Sequence, residues 1–134
     1  GYAVQSAQAA CDLLEERGFN VALINARFIK PLDEALLHRW AGKSRLMVTI
    51  EEGVLQGGFG SAVLELFEKS ERVVPMLRLG MPDEFIDHGS QSEQRSALEL
   101  DGPGIAKQVA ERLERTAPKA PSQYTGVVTP LPLH

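Results

Sequence analysis

Cysteine is almost absent: Cys11 is the only one among 134 residues, so the chain can form neither an internal disulfide nor a multi-cysteine metal site. It sits among apolar positions of a predicted helix, as a buried structural thiol would. Aromatic residues are scarce at 6%, and no apolar run approaches the roughly 18 residues that a membrane span requires. The N-terminus lacks the charged start and apolar block of a secretory signal, so the expected setting is cytoplasmic, with no membrane partner. Positive charge is in deficit: the formal charge is −4, which leaves no basic field for a phosphate backbone and excludes nucleic acid as a partner on electrostatic grounds. What remains, 43% hydrophobic and 24% charged residues, is the balance of a soluble globular protein with one core.

Helix and strand periods alternate along the chain. Val4, Ala7, Cys11 and Leu14 recur at helical spacing, and Gly18 stands where a left-handed cap would end that helix. A β-rich run from Phe19 to Phe28 follows, then Pro31 and Asp33, a good N-cap whose neighbours Leu32 and Leu37 fit a hydrophobic staple. Leu36, Leu37, Trp40 and Ala41 form the stripe of a second helix, and Leu46 to Ile50 read as a buried strand. That strand runs into Glu51 and Glu52, then a loop with Gly53, Gly57, Gly58 and Gly60 that opens onto the helix SAVLELFEK. Val73 to Leu79 is the last predicted strand, and Pro75 places it at a sheet edge or marks its start. Ser90 and Glu93 match a capping box, and Asp101 or Gly102 starts a final helix lined by Ile105, Val109 and Leu113.

Strands alternating with helices imply right-handed crossovers and a mainly parallel sheet covered on both faces, a three-layer α/β/α domain over residues 1–116. Residues 117–134 hold four of the eight prolines and no periodic apolar pattern, so they are expected to form an extended or disordered tail unless a neighbour pins them.

The candidate chemistry is thin. The segment GVLQGGFGS invites a phosphate-loop reading, but a dinucleotide fingerprint starting at Gly58 would need glycine at Val63, and a Walker loop ending at Gly42, Lys43 and Ser44 would need glycine at Leu37. Glu51 and Glu52 lie at the ligand-bearing end of a strand, yet neighbours on a strand face opposite ways and cannot converge as a dyad. A structural or interface role, such as a hydrogen bond to nearby backbone, suits them better than acid/base work. Asp87 and His88 are the most enzyme-like pair, but Ser90 is better explained as an N-cap than as a nucleophile. His38 and His134 complete three scattered histidines without metal-ligand spacing. No self-sufficient active site emerges, so any chemistry is shared with other domains.

Four segments in order, NARFIKPLD, VTIEEGVLQGGFGSAV, LRLGMPDEFIDHGS and LELDGPGIAKQV, resemble the C-terminal domain of the 1-deoxy-D-xylulose-5-phosphate synthase family, within the transketolase superfamily. The first two are shared more loosely with transketolases and 2-oxoacid dehydrogenase β subunits, whereas the third and fourth are similar to the synthases in particular. The resemblance implies a homodimeric transferase that uses thiamine diphosphate and Mg²⁺ to decarboxylate pyruvate and join the two-carbon unit to glyceraldehyde 3-phosphate, in isoprenoid, thiamine and pyridoxal precursor synthesis. It further implies that the cofactor and metal are bound by the N-terminal and central domains of the parent enzyme. The family's G-D-G…N motif is not in this chain, where Asp101 follows leucine. No catalytic, cofactor-binding or metal-binding residue is therefore carried over, and this chain alone is expected to be inactive. Glu51, Glu52, Gly57, Gly58, Gly60, Asp87 and His88 become candidates for interdomain or dimer contacts. The competing reading is the partner-docking C-terminal domain of a 2-oxoacid dehydrogenase β subunit. A free-standing small-molecule binding domain is a third, and would need a complete sheet and its own pocket.

The family domain ordinarily begins with a strand before its first helix, whereas this sequence enters the helix almost at once. The sequence reading is thus a piece of a longer polypeptide whose sheet lacks a strand and exposes unpaired backbone, with poor solubility or dimerisation expected in isolation.

Overall fold

The computed structural model describes residues 2–26, 31–54, 57–81, 91–115 and 124–130. Helix α1 (Tyr2–Glu16) turns Ala3, Ala7, Ala10, Cys11 and Leu14 inward, at the spacing read from the sequence. It ends in a double turn: Phe19 N–H donates to the Leu14 carbonyl and Gly18 N–H to that of Glu15, with Gly18 at φ +90°. Only glycine takes that conformation without strain. Phe19 and Leu14 then meet in the same core, which fixes the angle at which the chain enters β1 (Val21–Ala26).

Helix α2 (Glu34–Lys43) starts as expected at Asp33, whose side chain accepts from Leu36 N–H at 3.1 Å, and Leu32 packs into the core containing Leu37. Strand β2 (Ser44–Val54) extends beyond the apolar run at both ends. Helix α3 (Phe59–Lys69) leads to β3 (Met76–Met81), which begins only after Pro75 because proline has no N–H to give to the ladder. The Pro75 carbonyl still accepts from Met47 N–H at 2.9 Å. Helices α4 (Gln91–Ala97) and α5 (Gly102–Arg115) follow. Asp101 caps α5, accepting from Gly104 N–H at 2.9 Å. A β-carbon on Gly102 would lie 2.7 Å from that of Ala9, so glycine there lets α5 approach α1.

The sheet is parallel, in the order β1-β4-β2-β3. Two connections, through α2 and α3, step in one direction along it, and right-handed crossovers therefore place both helices on one face. The return from β3 runs backwards and puts α5 on the other face, beside α1. Two cores result. Leu46, Val48, Ile50 and Val127 meet α1 and α5, while Met47 and Val128 meet Leu37, Phe59, Val63 and Phe67. The three-layer parallel α/β architecture is the one read from the sequence.

Residues 124–130 correct the expectation of a tail. They form β4 (Tyr124–Pro130), hydrogen-bonded on one side to β1 and on the other to β2, with Val127 1% and Val128 0% exposed. Strand β4 lies inside the sheet, and among the described residues β1 and β3 are its outer strands. The segment escaped the pattern reading for a physical reason. A strand buried on both faces shows no alternation, and a five-residue apolar and threonine run amid prolines has too few positions to declare a period.

Candidate functional site

In an open α/β sheet, ligands collect where the helices following two adjacent strands go to opposite faces. Here that place is the carboxyl end of β2 and β3, because α3 covers one face and α5 the other. The glycine-rich loop leaves β2 at this end, and β3 ends there at Met81.

Thr49 and Glu51, two apart on β2, point to the same side, under the start of α3. The strand loses register with β3 between Ile50 and Val54. Glu51 is buried, and its carboxylate receives both first amides of α3: Phe59 N–H donates to Oε1 and Gly60 N–H to Oε2, each at 2.9 Å. Gly58, at the N-cap position, has no side chain to do this. Helix N-termini attract anions because free N–H groups and the helix dipole point at them. The anion here is the chain's own carboxylate.

That geometry also explains Gly60. A β-carbon on it would lie 2.7 Å from Thr49 Oγ1 and 3.1 Å from both Glu51 Oε2 and Arg78 Cδ. Gly57, at φ +72°, makes the turn that aims the helix at Glu51. On the outer side, Arg78 of β3 donates from Nη1 to Ser61 Oγ at 3.0 Å, tying the edge strand to the first turn of α3. Thr49 is fully buried, and its hydroxyl has no hydrogen-bond partner among the described residues.

The structure thus brings Glu51, Gly57, Gly58 and Gly60 together, and uses Glu51 for a hydrogen bond to neighbouring backbone. The Glu52 side chain and the residues Asp87, His88 and Ser90 lie outside the described residues. The amides of Phe59 and Gly60 are taken by Glu51 and are not free to hold another anion.

Pattern reading missed a polar contact on the α2–α3 face. His38 Nε2 lies 3.2 Å from Ser70 Oγ, and its ring is tilted against Phe67. The Ser70 hydroxyl also donates to the Leu66 carbonyl at 2.8 Å, which holds it against its own helix. The two residues are 32 apart in sequence, and no local signal announces their meeting. Cys11 is buried as expected, and burial, reinforced by the Glu15 and Asp12 carboxylates, pushes its thiol up to about 11. It is protonated and unreactive at neutral pH. Among the described residues no helix is long and apolar enough to cross a membrane, and no three His, Cys, Asp or Glu side chains converge to hold a metal ion.

Comparison with known sequences places this architecture. The chain is 47% identical over 112 residues to the 1-deoxy-D-xylulose-5-phosphate synthase of Synechococcus sp. (strain RCC307), covering 84% of this chain and 18% of that enzyme. It is 48% identical over 124 residues to the synthase of Anaeromyxobacter sp. (strain Fw109-5), covering 87% of this chain and 20% of that enzyme. A 40% identity over 128 residues, with the synthase of Synechococcus sp. (strain JA-3-3Ab), covers 96% of this chain and 20% of the relative. The chain therefore spans about a fifth of the length of these curated relatives. The sequence signature described as "Transketolase, C-terminal domain" matches residues 1–105, from α1 through the carboxylate-capped loop to the first turn of α5, and the chain belongs to that family.

Proposed function

We propose that the chain is the C-terminal domain of a thiamine-diphosphate-dependent 1-deoxy-D-xylulose-5-phosphate synthase, and that it packs against the rest of that enzyme and supports its dimer. The observation that carries this reading is the 40–48% identity to such synthases, which in individual relatives covers up to 96% of the chain. The condensation of pyruvate with glyceraldehyde 3-phosphate belongs to the whole enzyme, in the cytoplasm. There the N-terminal and central domains hold thiamine diphosphate and Mg²⁺, and the cofactor supplies the carbanion chemistry. The filled amides of α3 support a role without cofactor contacts for this domain. Its interdomain or dimer contacts are assigned to Glu52, Gly57, Gly58, Gly60, Asp87 and His88. Glu51 supports the Gly57–Gly60 turn from beneath.

The test is a domain exchange. The corresponding region of the Synechococcus sp. (strain RCC307) synthase is replaced by residues 1–134 of this chain, and the chimera is assayed for synthase activity, for mass by light scattering and for thiamine diphosphate binding by calorimetry. An active dimer that binds cofactor is expected, while the chain alone gives no heat with thiamine diphosphate and Mg²⁺. A folded chimera that stays monomeric and inactive would refute the reading, and saturable binding by the chain alone would refute the cofactor-free role.

A further inference from the structure

A guanidinium and a carboxylate come to one point at the start of α3 and do not pair there. The place of a β-carbon on Gly60 lies 3.1 Å from Arg78 Cδ and 3.1 Å from Glu51 Oε2. Glu51 accepts the amides of Phe59 and Gly60, one on each oxygen. Arg78 donates from Nη1 to the Ser61 hydroxyl at 3.0 Å, and no carboxylate pairs with it among the described residues. The negative charge serves the helix end, and the positive charge has no counterpart.

Exposed arginines without partners are common, but a long surface side chain ordinarily keeps its rotamer freedom. Arg78 is held at both ends. Its stem crosses Gly60, where a side chain would push it away, and its head is fixed by Ser61. It is exposed, on β3, which is an outer strand among the described residues. One N–H of its planar fork is engaged, and the others keep the geometry that a carboxylate takes in a bidentate pair. Much of the ordering that such a contact demands is already in place.

An apolar neighbour completes the patch. Leu64 follows Gly60 by four residues and Ser61 by three, so it shares their side of α3. It is 43% exposed, one of two large apolar side chains exposed among the described residues. A cationic fork beside a leucine fits an acidic side chain carried on a partly apolar surface. Two side chains cover far less than the roughly 800 Å² per partner that separate molecules bury in a stable complex. A contact this small holds when a chain connection supplies the effective concentration, which argues for an occupant joined to this domain.

We propose that Arg78, fixed by Ser61 and flanked by Leu64, is the docking point for a carboxylate side chain on another domain of the same polypeptide. This deepens the synthase reading and rests on it, since that reading supplies the other domains. The pair forms across the start of α3, so Glu51 and Arg78 act on one turn from two sides. Glu51 holds the helix end in its own domain, and Arg78 ties that end to the next.

The experiment places Arg78→Met, which keeps the aliphatic stem, and Arg78→Lys, which keeps the charge without the fork, in two proteins. One is the chain alone, followed by urea denaturation. The other is the Synechococcus sp. (strain RCC307) chimera, followed by thermolysin cleavage of the native protein and by light scattering. In the chain alone all three midpoints should coincide. In the chimera the Met variant should be cut at least about fivefold faster than the parent while remaining a dimer, with the Lys variant between them. Equal cleavage of the three chimeras overturns the proposal, as does a midpoint in the chain alone that falls with Arg78→Met, because Arg78 then acts inside its own domain. Dissociation of the Met chimera into monomers cut at the parent rate overturns it too, since the carboxylate then belongs to the partner subunit. A parent chimera that is monomeric and inactive removes the synthase reading and this contact together, whereas the other outcomes leave that reading standing.

Discussion

Glu51 Oε2 accepts the backbone N–H of Gly60 at 2.9 Å, while a side chain on Gly60 would fall within 3.1 Å of the same oxygen. The glycine is thus required first by Thr49 Oγ1, 2.7 Å from that position, and the carboxylate it binds tightens the space further. A hydrogen bond to a buried charged acceptor contributes about 1.5–3 kcal/mol, and stranding its donors costs a similar amount. Glu51→Ala should therefore lower stability by roughly 2–4 kcal/mol. Glu51→Gln, which keeps one carbonyl acceptor and loses the charge, should cost about half as much. Urea denaturation of the three proteins measures this, and an alanine variant within 0.5 kcal/mol of the parent, roughly the scatter of surface substitutions, would show that the pair is decorative.

Gly60→Ala tests the same turn from the other side. The added methyl group collides first with Thr49 Oγ1, a hydroxyl without a partner among the described residues, so shortening Thr49 should relieve it. Gly60→Ala alone should destabilise by about 1–3 kcal/mol, the usual cost of overpacking. In combination with Thr49→Ala the loss should shrink by at least about 1 kcal/mol relative to the sum of the single changes, as expected for residues in contact. Additive losses in the double-mutant cycle would mean that the clash lies elsewhere.

How far the sequence foretold this turn depended on distance along the chain. Asp33, Gly18 and Asp101 announce helix ends through residues three to five positions away, and each caps the helix where the local pattern places it. The glycine-rich loop was equally visible, but its purpose was not. The partner that fills the α3 N-terminus is Glu51, eight and nine residues before the amides it takes, beyond the reach of any capping pattern. Strand β4 was least legible, because its periodic signal is erased by burial on both faces and its pairing partners are remote. The resemblance carried the family where periodicity could not, since it rests on whole segments rather than on single contacts.

The Cys11 thiol offers a pH-dependent reading of the α1–α5 core. Its ordinary value of 9.0 is raised to about 11, first by burial and then by the Glu15 and Asp12 carboxylates. The folded state therefore holds the proton more tightly than the unfolded state. The stabilisation is complete below pH 9 and is lost as pH rises through about 11. A rise of that size corresponds to a contribution on the order of 3 kcal/mol. Other groups titrate in this range, so the informative quantity is the difference between the parent and Cys11→Ala. The variant should show a shallower fall in stability between pH 9 and 11, and identical slopes would place the thiol in contact with solvent.

Amide hydrogen exchange distinguishes a strand that belongs to the sheet from one that visits it. The amides of Val127 and Val128 lie in a buried ladder between β1 and β2, so they should exchange several orders of magnitude more slowly than those of an unstructured peptide. If β4 detaches from β1 and β2 while the helices stay packed, these amides open at a free energy below that of Cys11 and Ala106, which lie inside the α1–α5 core. Raising denaturant would then accelerate exchange at Cys11 and Ala106 with the steep slope of global unfolding, and at Val127 and Val128 with a shallower one. A single shared slope would make β4 inseparable from the core, because release of one strand exposes far less surface than unfolding the domain.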